Sequence, residues 1–105
     1  TLYLKTDRTD ILYTISYLQF ELKNFNESLT NLDILINNSL TEEMYVSVSK
    51  SDNSRQEILM RAQLHYLKGL IYSEQNNKDL AKISFEKSVE ISSDFQNAID
   101  KLNLL

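Results

Sequence analysis

A chain of 105 residues has room for one domain with a modest hydrophobic core. Its formal net charge is −4, with 11 Lys and Arg scattered among 15 Asp and Glu. That disfavours a nucleic-acid backbone or an anionic membrane surface as partner, because both are gripped by clustered cations. No apolar run approaches the ~20 residues of a membrane-spanning helix, and the absence of Cys excludes disulfides and thiolate metal sites.

One Gly and no Pro leave few residues for the many turns of a sandwich or barrel, so the composition points to long helices with short connections. Residues 1–8 read as the tail of a preceding element. Thr9 or Asp10 is a candidate cap for a first helix whose apolar face is Ile11, Leu12, Ile15, Leu18 and Leu22, at spacings of three and four. Lys23-Asn24-Phe25-Asn26 is a polar break with one apolar plug. A second helix follows over about 26–38, carrying Ser28, Leu29, Leu32, Leu35 and Ile36.

Residues 39–53 read as an insertion. Thr41-Glu42-Glu43 suits a short helix start, with acids where the helix dipole favours them. Tyr45-Val46-Ser47-Val48-Ser49 alternates with β-branched residues and suggests an extended segment. Of the two, the sequence favours a short helix ending in a loop. Ser54-Arg55-Gln56-Glu57 has the form of a capping box, which predicts a long helix over 55–75 with Leu59, Ala62, Tyr66, Leu67, Leu70 and Ile71 inward. Asn76-Asn77-Lys78 is a turn. Residues 79–91 form the next helix, on Ala81, Phe85, Ser88 and Val89. Ser93-Asp94-Phe95-Gln96 is a second candidate capping box, before a last helix on Phe95, Ala98, Ile99 and Leu102.

Residues 62–95 form a 34-residue unit with small residues at Gly69, Ala81 and Ser88, aromatics at Tyr72 and Phe85, and a turn at Asn76-Asn77. The unit resembles a tetratricopeptide repeat. His65 stands where Trp is common in that family, Lys68 where Leu is common, and Ser93 where Pro is typical. Residues 9–42 are a weaker copy, with Ser16 in the place of Gly69, Ser28 in that of Ala81 and Leu32 in that of Phe85. The offset from Ser16 to Gly69 is 53 residues, more than one repeat, which leaves either an insertion or an extended first helix in the second hairpin.

The resemblance implies an all-α fold of antiparallel helical hairpins stacked as a short right-handed superhelix. The expected layout is a single domain over 1–105. Residues 9–38 are the first hairpin, 39–53 the insertion, 54–93 the second hairpin and 94–105 a capping or next-repeat helix. Thr1 and the abrupt apolar Leu104-Leu105 suggest a piece of a longer chain, and no localisation is read from the sequence.

In such repeats the first helix of each hairpin lines a concave groove. That implies a partner-binding surface of Tyr13, Tyr17, Phe20, Tyr66, Leu70 and Lys101, with Asn97 nearby. The family's members that grip a C-terminal carboxylate use Lys, Asn and Arg there. Tyr13, Tyr17 and Leu67 take those places here, which argues against that role. The rings could instead pack on residues 39–53 and meet no ligand. His65 has no catalytic or metal partner in the sequence and reads as a packing residue. Glu42-Glu43 and the Asp7/Asp10 pair read as solvated surface.

The expectation is therefore a protein–protein interaction module, not an enzyme, with no cofactor and no metal. Its partner is a protein or peptide, with no nucleic acid and no membrane insertion. The alternative is a structural or oligomerisation segment of a larger helical-repeat protein without a groove ligand. In that case an apolar edge at Leu102, Leu104 and Leu105 would serve self-association.

Overall fold

The computed structural model describes residues 2–105, with side chains from Thr9 onward; Thr1 and the side chain of Asp7 lie outside that range. Five α-helices and one two-stranded sheet make up the described residues. In chain order they are α1 (Leu2–Glu21), α2 (Phe25–Ile36), a 3-10 helix (Ser39–Glu43), β1 (Tyr45–Ser49), β2 (Arg55–Leu59), α3 (Met60–Glu74), α4 (Lys78–Ile91) and α5 (Gln96–Asn103).

Two helical hairpins, α1–α2 and α3–α4, are closed by the same device. Lys23 and Asn76 adopt left-handed backbone, with φ of 64° and 60°. The following N–H then reaches back to the helix, Asn24 to the Gln19 carbonyl and Asn77 to the Tyr72 carbonyl, both at 2.8 Å. These bonds satisfy carbonyls that a helix end otherwise leaves open. Asn77 also caps α4, its side-chain oxygen accepting from the Leu80 N–H at 3.2 Å.

Small residues set the packing inside each hairpin. A Cβ at Gly69 would lie 2.6 Å from Cδ1 and 2.8 Å from Cζ of Phe85, so the ring of α4 sits on the bare backbone of α3. In the first hairpin the Ser28 hydroxyl donates to the Ser16 carbonyl at 2.8 Å across α1 and α2. Leu32, Leu35, Met60, Leu64, Leu67 and Ile71 form one buried cluster that joins α2 to α3. Val48, Ile58, Ala62, Phe95 and Ala98 form a second, beneath the sheet and α5.

The sheet corrects the all-α expectation. β1 and β2 pair antiparallel, with Val46 opposite Ile58 and Val48 opposite Gln56. Residues 39–53 hold the short helix, as a 3-10 turn, but the expected loop is a strand. The extended reading of Tyr45–Ser49 is the one realised. Its partner strand replaces the start of the long helix expected over 55–75, and α3 begins only at Met60. The capping box at Ser54 does not form. The Ser54 N–H and hydroxyl both donate to the Asp52 carboxylate, at 2.9 and 2.5 Å, and tighten the strand turn instead. Tertiary pairing of an alternating apolar strand outweighs a local helix-start signal.

Two more helix starts differ from expectation. Thr9 is buried inside α1, not a cap, and α1 includes residues 2–8. No side chain caps α5 from Ser93; Phe95 occupies the cap position. Gln56 of β2 does the work from outside: its amide oxygen accepts from the Gln96 N–H at 3.3 Å and its amide nitrogen donates to the Asp94 carbonyl at 2.6 Å.

The inward face of α1 is also rotated from the expected one. Ile11, Ile15, Leu18 and Leu22 are exposed, Ile11 at 58% and Leu22 at 72%. Thr9 and Ser16 are buried, and Leu12, Tyr13 and Phe20 are packed partly into the core. The close approach to α2 through Ser16 and Ser28 fixes which face turns in, and it leaves the apolar stripe outside.

Candidate binding groove

α3 packs against α1 on one side and against the strand pair on the other, and an open depression of about 530 Å³ lies over it. Tyr13, Thr14, Tyr17 and Leu18 of α1 form one wall, with Phe20 beyond them. Gln63, Tyr66, Leu67 and Leu70 of α3 form the floor. Ser47, Val48 and Ser49 of β1, with Arg55, form the far wall, and Asn97 of α5 closes one end. A shallower depression of about 380 Å³ continues past Tyr66 and Asn97 along α5, between Lys50, Asp100 and Lys101.

Of the residues singled out from sequence, Tyr13, Tyr17, Phe20, Tyr66 and Leu70 line the first depression and Lys101 the second. They differ in how firmly the core holds them. Tyr66 is pinned by ring contacts to Phe85 (5.7 Å between centroids) and Phe95 (5.2 Å). Phe20 lies between Tyr17 (6.2 Å) and Phe25 (6.3 Å). Tyr17 is 39% exposed and is the ring most available to a ligand.

Burial raises the pKa of the Tyr13 phenol; a hydrogen bond with Gln63 opposes the rise and Tyr17 adds to it. Burial also raises that of Tyr66, with smaller contributions from Tyr17 and Asp100. Both phenols therefore stay neutral at physiological pH and can donate as well as accept. His65 lies outside the groove, half-buried. Its pKa is lowered to about 4, first by burial and then by Lys68 and Lys87, and it is neutral at pH 7.

Five groove residues were not singled out from sequence for any role in binding or packing: Thr14, Gln63, Ser47, Ser49 and Arg55. The alternation Val46/Val48 was the signal for the two serines, since it turns Ser47 and Ser49 to the opposite face. Nothing in the sequence marked Gln63 or Arg55. The Arg55 side chain folds over β1, its Nε and Nη1 donating to the Ser47 and Ser49 hydroxyls at 3.0 and 2.8 Å, and its Nη2 to the Ser47 carbonyl at 3.0 Å. The Asn97 amide donates to the Ser49 carbonyl at 3.0 Å. Gln63 is 5% exposed, and its side-chain oxygen accepts no hydrogen bond among the described residues.

Such a surface suits ring contacts and hydrogen bonds to a polypeptide. Among the described residues no three His, Asp or Glu converge as a metal site, and no helix is long and apolar enough to cross a membrane. A family model described as tetratricopeptide repeat matches residues 62–95. No curated protein and no solved structure matches the chain.

Proposed function

We propose, from the premise that residues 62–95 are a tetratricopeptide repeat, that this chain binds a segment of another protein in the groove over α3. Repeats of this family generally mediate protein–protein interaction. In our reading the chain is one unit, its hairpins stacked as the start of a right-handed superhelix. Tyr13, Tyr17, Phe20, Tyr66, Leu70 and Lys101 are the contact residues. One observation carries the reading: side chains from both hairpins, the sheet and α5 converge on a single open depression instead of sealing it. Tyr rings give large, rigid contact area with a directional hydroxyl, and clustered aromatics of this kind dominate binding energy.

The test compares two rings. Tyr17→Ala should cost about 1–3 kcal/mol of binding to a peptide selected from a random library, while leaving the melting temperature nearly unchanged. Tyr66→Ala should lower both, since that ring also packs on Phe85 and Phe95. Wild-type binding by Tyr17→Ala would remove the groove from consideration.

The second reading, a structural or oligomerisation segment, draws on different residues. Ile11, Ile15, Leu18 and Leu22 form an exposed apolar stripe along α1, and Leu104 and Leu105 are exposed at the other end. Sedimentation of the purified chain separates the two readings. A concentration-dependent dimer that Leu22→Lys returns to monomer favours the second.

A further inference from the structure

β1 carries an unpaired edge, and that edge faces the groove. The pairing phase follows from two bonds that flank the ladder: Lys50 N–H to the Ser54 carbonyl at 2.8 Å, and Met60 N–H to the Met44 carbonyl at 2.7 Å. Bonded and non-bonded pairs alternate along an antiparallel ladder. With the pairs 50–54 and 44–60 bonded, the pairs Val48–Gln56 and Val46–Ile58 are bonded too. Tyr45, Ser47 and Ser49 therefore turn their N–H and C=O groups away from β2. Ser47, Val48 and Ser49, from both faces of the strand, all line the depression, as an edge-on strand does.

The carbonyls of that edge are covered by the chain's own donors, Arg55 on Ser47 and Asn97 on Ser49. The N–H groups of Ser47 and Ser49 meet no acceptor among the described residues. On the floor beside them, Gln63 holds an unpartnered acceptor in a side chain that is nineteen-twentieths buried. Buried polar groups are paired in nearly all native structures, so an orphan beside an open groove is an acceptor that an incoming donor can satisfy. The polarity is thus that of a peptide backbone in negative: donors along the wall, an acceptor below.

The charge is also specific. Arg55, Lys50 and Lys101 line the two connected depressions, against the single carboxylate of Asp100, in a chain whose net charge is −4.

We infer that the groove takes an extended, acidic segment of a partner protein, which lies as a further strand along β1, bonded through the outward N–H groups of that edge, and donates a hydrogen bond to Gln63. The inference rests on the groove reading above and specifies the conformation and chemistry of the occupant. The segment's carbonyls accept from the Ser47 and Ser49 N–H groups. Alternate side chains point down onto Tyr66 and Leu67 or out to solvent, with Tyr13 and Tyr17 flanking them from α1. Its Asp or Glu side chains pair with Arg55, Lys50 and Lys101. Strand addition of this kind takes affinity from the main chain and selectivity from every second side chain.

The full chain is screened against random peptides displayed on phage, and a selected binder is resynthesised with each backbone nitrogen methylated in turn. Methylation at the one position whose N–H reaches Gln63 should weaken binding by roughly tenfold and at the other positions less, because the outward Ser47 and Ser49 carbonyls already hold the Arg55 and Asn97 donors. Ser47→Pro removes one outward donor and leaves the backbone ladder to β2 intact, at a position where an edge strand tolerates proline, and Ser47→Ala controls for the lost hydroxyl that accepts from Arg55 Nε. The proline variant should weaken binding while the chain still folds, and if it does not fold, the methylation series decides alone. Gln63→Leu should weaken binding by more than it lowers the melting temperature, since it removes an unpartnered acceptor together with the amide beside the Tyr13 phenol. A residue of merely structural importance would lose stability instead.

A peptide that binds as a helix, or tolerates methylation at every position, overturns strand addition and leaves the groove reading in place. Binders free of Asp and Glu overturn the acidic part. If no peptide binds in a way that Tyr17→Ala abolishes, both readings fall.

Discussion

The two helical hairpins are built to one plan with different materials. Ser16, Lys23, Ser28 and Leu32 of the first stand where the second has Gly69, Asn76, Ala81 and Phe85, at a constant offset of 53 residues. The turns are geometrically alike. The helix contacts are not. In α3–α4 an aromatic ring rests on a glycine backbone, a contact made by shape. In α1–α2 a hydroxyl bonds a carbonyl across the helices, a contact made by polarity. At this matched position close helix approach therefore has two solutions in a single chain, and they should fail differently when altered.

The largest expected effect is at Phe85. Phe85→Ala should destabilise by about 3–5 kcal/mol through the lost burial and the cavity left behind. It should also weaken peptide binding, because Phe85 supports Tyr66 from beneath. Leu32→Ala, its counterpart in the first hairpin, should lower chemical-denaturation stability with a smaller loss of binding, transmitted through the buried cluster it shares with Leu67 of the floor. Equal binding losses in the two variants would break the comparison.

Gly69→Ala comes next. A helix interior normally prefers Ala to Gly by about 1 kcal/mol. Here the added methyl meets a fully buried ring, and overpacking of about 1–3 kcal/mol should win. Ser16→Ala, at the matching position, should be close to neutral, since the Ser16 hydroxyl only bonds the Leu12 carbonyl of its own helix, at 2.8 Å. Thermal melts of both decide.

Ser28→Ala should cost about 0.5–1.5 kcal/mol, the net worth of one buried hydrogen bond. In the second hairpin the analogous bond comes from another position, the Ser88 hydroxyl to the Ala62 carbonyl at 2.7 Å. Ser88→Ala should match it in size. A much larger loss in either would mean that the hydroxyl does more than bridge the pair.

A pH response should also arise from the second hairpin. His65 has a folded pKa of about 4 against an unfolded value near 6.5. The unfolded chain takes up the proton first, so this contribution is fully present above about pH 6.5 and is lost as pH falls towards 4. Melts at neutral and mildly acidic pH should show a fall that His65→Gln reduces.

The second hairpin was the more legible in sequence for the same reason that it is shape-packed. Gly, Tyr, Ala and Phe at fixed spacing form a recognisable pattern, whereas Ser16 and Ser28 look like ordinary polar residues until their hydroxyls are placed. The outward stripe of α1 was misread because four apolar residues at helical spacing imitate a core face, and only the Ser16–Ser28 contact reveals which face turns in. The strand pair was half legible. Val46 and Val48 announced β1, but the partner strand was hidden under a helix-start signal at Ser54. The aromatic residues of the groove followed from the repeat register. Its polar residues did not, because Gln63 and Arg55 matter through what surrounds them.

Both helical hairpins and the strand pair each close over a short stretch of chain, through turns of only a few residues. Contacts of that range form early and fast in folding. The groove is different: its lining comes from 13–20, 47–55, 63–70 and Asn97, so it exists only when every unit has docked on α3. A chain cut after Ile91 should therefore keep much of its helix signal in circular dichroism and still present an unfinished surface, without Asn97 on the Ser49 carbonyl and without Phe95 under Tyr66. Helix content and binding competence should part company during refolding, with competence arriving last.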